Sequence, residues 1–233
     1  MKSFSFLAVL FLLGLTQLTT AQNEENWEHK DFKVSEFTAV RLDGSFKVYL
    51  VQGEESGIRV KASNSNVFDQ IKVQNYNGEL DVKINQSIFE YSRITLYITF
   101  KTLSELYIEG GVNLKTNGYL DLNNFAVNIE GGANVELKLK AKNIAFTGTG
   151  GFILEMSGVA ATLDVAIDGA GHVSADELKT DDVKFTVRGF GTGNVYATKT
   201  LNVKLEGVGM VRYKGDPKVT QYIDGLGNVK PQK

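Results

Sequence analysis

The sequence predicts an all-β solenoid, a stack of similar coils closed at its N-terminal end by a separate β cap. Two observations carry this. A glycine-containing segment recurs at a near-regular interval, and apolar and polar residues alternate along most of the chain with no competing 3.6-residue pattern. One copy of the segment is Leu205-Glu206-Gly207-Val208-Gly209-Met210-Val211, and others begin at Ile108, Ile129, Ile167 and Ile223. With looser copies beginning at Phe146 and Val187, the successive steps are 21, 17, 21, 20, 18 and 18 residues. A period of that length is one supersecondary unit stacked on its neighbour.

The chain opens with Lys2, an apolar run over residues 4–18 and the small-residue site Thr19-Thr20-Ala21, which together read as a secretory signal peptide over residues 1–21. The run is shorter than the roughly 20 residues that span a bilayer, so a membrane anchor is the weaker reading. An extracytoplasmic protein is expected, in the periplasm, on the cell surface or secreted. Cleavage would leave 24 basic against 27 acidic residues, with lysines alternating with apolar residues, as in Leu137-Lys138-Leu139-Lys140. A nucleic-acid-binding face would need those cations clustered. The absence of cysteine excludes a disulfide framework and a lipid-anchor thiol. Residues 22–35 read as a flexible segment, 36–229 as one domain and 230–233 as a tail.

Within residues 36–107, Leu42-Asp43-Gly44-Ser45-Phe46-Lys47-Val48 reads as a degenerate first coil, with Phe46 where a second glycine would stand. Strands are expected over 48–53, 58–60, 71–73, 80–84 and 94–98, with Asn77-Gly78 as a two-residue hairpin turn. These capping or degenerate coils would cover the apolar cross-section that a terminal coil exposes. Over residues 108–229 each alternating strand, such as 163–167 or 201–205, runs into a glycine motif. A second short strand follows, then a polar turn such as Lys179-Thr180-Asp181-Asp182 or Thr198-Lys199-Thr200. The glycines Gly110, Gly131, Gly148, Gly150, Gly169, Gly171, Gly189, Gly191, Gly207, Gly209, Gly225 and Gly227 are assigned to corners. There, positive φ and the close approach of stacked coils favour a residue without Cβ. A phosphate-cradling loop would need a helix after the glycines, whereas strands lie on both sides.

The residue before the first glycine of each copy is Glu109, Glu130, Thr147, Asp168, Arg188, Glu206 or Asp224. Stacked at ~4.8 Å, these side chains form one column. Carboxylates so placed are a candidate Ca²⁺ site, since that ion takes oxygen ligands. A solvated acidic edge relieved by Arg188 is the simpler reading, and no resident cofactor is expected. The catalytic inventory is thin: His29 falls in the N-terminal segment, His172 lies near Asp168 and Asp176 in sequence, and no serine sits in a nucleophile-elbow context. Arg188 flanked by Asp168 and Glu206 is the one trio a polysaccharide lyase could use, with the arginine as base.

The serial Ile-Asp/Glu-Gly-x-Gly-x-Val copies are joined by two further features. One is the opening Phe37-Thr38-Ala39-Val40 with Gly44-Ser45-Phe46-Lys47-Val48-Tyr49-Leu50; the other is the ending Val211-Arg212-Tyr213-Lys214-Gly215-Asp216-Pro217 followed by Ile223-Asp224-Gly225-Leu226-Gly227. In that ordered combination the chain resembles the head GIN domain family, adhesin-type proteins exported mainly by Bacteroidetes-type bacteria, over roughly residues 36–229. The resemblance implies a right-handed parallel β-helix-like fold, shaped like pectin-lyase-type solenoids but without their catalytic residues. It also implies a non-catalytic role in adhesion or as a surface or periplasmic scaffold, with a surface glycan or protein as partner. A Ca-dependent polysaccharide-binding protein or lyase is the alternative.

Overall fold

The structure, a computed structural model, describes residues 27–84 and 93–232; the expected signal peptide, residues 1–21, lies outside them. In chain order the strands are β1 (Glu28–Lys33), β2 (Ala39–Asp43), β3 (Phe46–Gln52), β4 (Gly57–Ala62), β5 (Ile71–Tyr76), β6 (Glu79–Ile84), β7 (Ile94–Phe100) and β8 (Glu105–Thr116). There follow β9 (Leu120–Asp121), β10 (Asn124–Ile167), β11 (Ala170–Val187), β12 (Phe190–Leu205), β13 (Val208–Lys214), β14 (Lys218–Ile223) and β15 (Leu226–Pro231). From β8 onward the coils pair in parallel with their neighbours, giving a β-solenoid of about six turns. Among the described residues no helix is long and apolar enough to cross a membrane.

Period-2 alternation becomes columns of core side chains once the coils stack in register. Leu163, Val183, Leu201 and Val219 form one column, and Ile167, Val187, Leu205 and Ile223 another. Most members are fully buried, and each such aliphatic side chain contributes about 1.5–3 kcal/mol through burial.

The first coil is β2 and β3, which pair in parallel with the two halves of β8 and set Asp43 opposite Glu109 and Phe46 opposite Val112. Beyond it, β2 adds β6 and β3 adds β7, both still parallel. The pairing then switches to antiparallel, β5 on β6 and β4 then β1 on β7. The Asn77-Gly78 turn joins β5 to β6 with positive φ at both residues, 52° and 79°. A short 3-10 turn, Ser65–Asp69, places buried Val67 over the end of the stack.

Four expectations are corrected. The segment 22–35 is not loose over residues 28–33, because β1 pairs antiparallel with β4 and Asp31 takes two bonds from Arg59, at 2.6 and 2.8 Å. The expected tail 230–233 begins inside β15, and the Gln232 amide donates to Tyr213 O. Residues 179–182 and 198–200 do not leave the sheet as turns. They bend within β11 and β12, where the register shifts after Ala175 and again at Asp182. Five of the expected corner glycines are not at corners: the Asp168 amide donates to Gly148 O as the Arg188 amide does to Ile167 O, so Gly148 occupies a core position and Gly150 the corner, while Gly171, Gly191, Gly209 and Gly227 align with buried Phe152 in a core-facing column two residues past the corner.

The corner column is therefore Gly44, Gly110, Gly131, Gly150, Gly169, Gly189, Gly207 and Gly225, with steps after Gly110 of 21, 19, 19, 20, 18 and 18 residues. A Cβ at Gly110 would lie 2.5 Å from Gly44 O, and one at Gly150 2.6 Å from Gly131 O. Positive φ accompanies this crowding at Gly110, Gly131 and Gly150 but not in the later corners, where close approach alone excludes a side chain. Gly148 and Gly171 instead make room for the ring of Phe152, which fills the core gap left by the missing side chains.

At the other end, Asp176 ties the final coils together. Its Oδ2 lies 2.9 Å from Lys214 Nζ and accepts from Gln232 Nε2 at 3.3 Å, while Ser174 donates to Oδ1. Burial opposes its ionisation, and the bonds from Lys214, Ser174 and Gln232 outweigh that, holding the carboxyl below its ordinary range.

Gly207→Val is expected to cost about 1–3 kcal/mol by overpacking against Gly189, whereas Lys199→Ala at the exposed bend leaves the melting temperature nearly unchanged. Equal melting temperatures for the two variants would contradict the corner packing. Because the folded carboxyl of Asp176 titrates below its unfolded value, its contribution is present above about pH 4 and is lost as pH falls through the folded value. Asp176→Asn should therefore lower the melting temperature at pH 7 and reduce its fall on acidification. An unchanged acid profile would show that Asp176 does not hold the final coils.

Candidate functional site

Immediately before the corner glycines, the outward side chains fall in one line: Asp43, Glu109, Glu130, Thr149, Asp168, Arg188, Glu206 and Asp224. Thr149, not Thr147, stands in that line, for the same register reason that puts Gly150 at the corner. The line is charge-compensated at its centre, around Arg188, and at Asp43 beside the cap. Arg188 Nη1 sits 2.7 Å from Asp168 Oδ1 and its Nε 3.5 Å from Glu206 Oε2, while Lys204 approaches Glu206 at 2.7 Å. Toward the cap, Lys83 lies 3.9 Å from Asp43, and the Arg41 guanidinium lies 3.8 Å from the Tyr107 ring centroid. A hydrogen bond to the Glu130 carboxylate pushes the Tyr107 phenol above its usual value, because that bond needs the phenol proton.

A second line, not anticipated from the sequence, runs up the other corner. Asn143 Nδ2 donates to Asn124 Oδ1 at 2.7 Å, Thr162 Oγ1 to Asn143 Oδ1 at 2.9 Å and Thr200 Oγ1 to Asp182 Oδ1 at 2.6 Å. Thr162 faces Asp182, and Thr200 faces Lys218, in the sheet register. The signal was present as Asn/Thr/Asp residues recurring at 124, 143, 162, 182 and 200, close to the glycine period. Polar residues at bends are ordinarily read as solvated turns, which hides such a ladder.

The residues considered for catalysis are engaged elsewhere. His172 Nδ1 lies 2.7 Å from Thr192 Oγ1, and Asp176 belongs to the Lys214 and Gln232 cluster. The hydrogen bond to Asp168 raises the Arg188 pKa above its ordinary value, which opposes the proton loss a lyase base requires. A shallow groove of about 330 Å³ is lined by Glu136, Lys138, Glu155, Asp176 and Glu177. Lys115 beside Glu136, at 2.6 Å, holds that carboxyl below the usual range. Among the described residues, no three His, Asp or Glu side chains converge as a metal-ligand set.

Arg188→Glu puts a third carboxylate between those of Asp168 and Glu206. It should make the melting temperature rise with added salt more steeply than in the parent protein, since screening weakens exposed repulsion. Identical salt dependence would mean that these side chains do not interact across the coils.

Among solved structures, a protein of Bacteroides fragilis described as a "putative adhesin" is similar at 23% identity, with a TM-score of 0.83 over 89% of this chain and 98% of its own. A "putative lipid binding protein" of Parabacteroides distasonis is 22% identical, with a TM-score of 0.63 over 90% and 98%. A "putative adhesin" of Parabacteroides merdae is 20% identical, with a TM-score of 0.58 over 89% and 96%. These likenesses show the fold. No curated protein matches the chain. A family model described as "Putative auto-transporter adhesin, head GIN domain" matches residues 36–217, from just before β2 to just before β14, and the chain belongs to that family.

Proposed function

We propose that the protein is an exported, non-catalytic adhesion or surface-scaffold module whose outer faces bind a repeating partner, a surface glycan or a protein. One observation carries this reading: outward polar side chains recur in register on successive coils, as in the line from Glu109 through Arg188 to Asp224. A periodic partner meets chemically similar groups on successive coils, and weak contacts then add through effective concentration. Membership in a family described by adhesion supports the same reading. The Ca-dependent polysaccharide-binding or lyase reading is disfavoured by Arg188, whose charge is held by carboxylates on both sides.

The test is deletion of the gene, scored by attachment of cells to surfaces and complemented with the wild-type chain. Reduced attachment is expected, with the protein recovered outside the cytoplasm and beginning at Gln22. Unchanged attachment, or protein retained in the cytoplasm, overturns the proposal. A parallel incubation with pectate or alginate, with and without Ca²⁺, should release no unsaturated, ultraviolet-absorbing products. Products that appear and then vanish in Arg188→Ala would establish the lyase instead.

A further inference from the structure

The two ends of the solenoid differ. At the N-terminal end the cap switches to antiparallel strands, whereas at the C-terminal end β14 pairs, among the described residues, only with β12. The Asp224 amide donates to Leu205 O, so alternation turns the even-numbered residues of β14 toward β12. The backbone groups of Val219, Gln221 and Ile223 therefore face outward along the stacking axis. Their side chains continue the core columns of Leu201, Val203 and Leu205, each at most 3% exposed, yet Ile223 is 39% exposed. At the central position a glutamine stands where Val165, Phe185 and Val203 stand below it.

We infer that β14 is a homodimer edge, pairing antiparallel with β14 of a second copy about a two-fold axis through Gln221. The sequence Lys218-Val219-Thr220-Gln221-Tyr222-Ile223-Asp224 is chemically self-complementary about that residue. The axis sets Val219 opposite Ile223 of the second copy, Thr220 opposite Tyr222, and Lys218 opposite Asp224. Lys218 and Asp224 both lie on the outward face, so the pair forms a salt bridge at each end of the shared ladder. The outward-turned backbone groups of residues 219, 221 and 223 are those that a hydrogen-bonded antiparallel pair centred on residue 221 requires. The two Gln221 side chains meet on the axis, where carboxamides satisfy one another and an aliphatic residue would not fix the register. The adjacent edge has no such symmetry, since a two-fold through Asn228 of β15 would set Leu226 against Lys230. A two-fold contact between like ends also closes on itself, which stops further growth of the stack.

The experiment is sedimentation equilibrium of the mature chain, with a melting curve for each variant to confirm folding. The parent protein should be a concentration-dependent dimer. Lys218→Asp or Asp224→Lys alone sets like charges against each other and should weaken association at least tenfold, while the double exchange restores it. Gln221→Pro removes the outward-facing N–H and the carboxamide on the axis without taking a donor from the β12–β14 ladder, and should give a folded monomer. A parent protein that stays monomeric at high concentration, or single and double charge variants that associate equally, overturns the assignment.

Discussion

Backbone meets backbone at the glycine corner, and the rest of the architecture follows from that contact. Where a Cβ at Gly110 would stand 2.5 Å from the Gly44 carbonyl, no side chain can help to hold the bend. Stability must then come from the core columns and the ladder hydrogen bonds on either side. The corner also fixes register, since a slip by one residue would bring a Cβ into the column and turn each strand inside out. Asp168, Arg188 and Glu206 are aligned because the glycines after them are aligned, so their ion pairs are a consequence of the corner more than its cause.

Between corners, the core tolerates exchange of volume from coil to coil. Phe152 stands at the level of Gly171 and bends into the space vacated by Gly148 in its own coil, packing edge-on against Phe146 at 5.1 Å between centroids. Phe185 is larger than Val165 and Val203 in its column, and Gly193 leaves room for its ring. Such trades keep interior density near that of a crystal while the repeat sequence drifts. They also explain why the copies look degenerate.

Those trades mark the limit of what could be read from the sequence. The coil period, the β5–β6 hairpin and the degenerate first coil rest on local signals: glycine spacing, Asn77-Gly78 and alternation. The Gly148/Gly150 choice does not, because two glycines two residues apart satisfy the same pattern, and what distinguishes them is non-local: the Gly131 carbonyl against Gly150 and the ring of Phe152 against Gly148. Strand β1 was hidden for a similar reason. Its charged residues look solvated until Arg59, from a strand distant in sequence, supplies the partner for Asp31. The bends at 179–182 and 198–200 have the composition of turns, yet Asp182 and Thr200 stay in register because neighbouring coils bend at the same height.

A stack whose units touch only their neighbours would ordinarily peel from an end one coil at a time under tension. Asp176 breaks that rule. It sits in β11, yet it holds Lys214 at the end of β13 and Gln232 beyond β15. A pull on the C-terminus reaches β11 before the β13–β15 ladder has opened, so the final coils carry load together and yield as a block, and the carboxylate acts as the rivet of a lap joint.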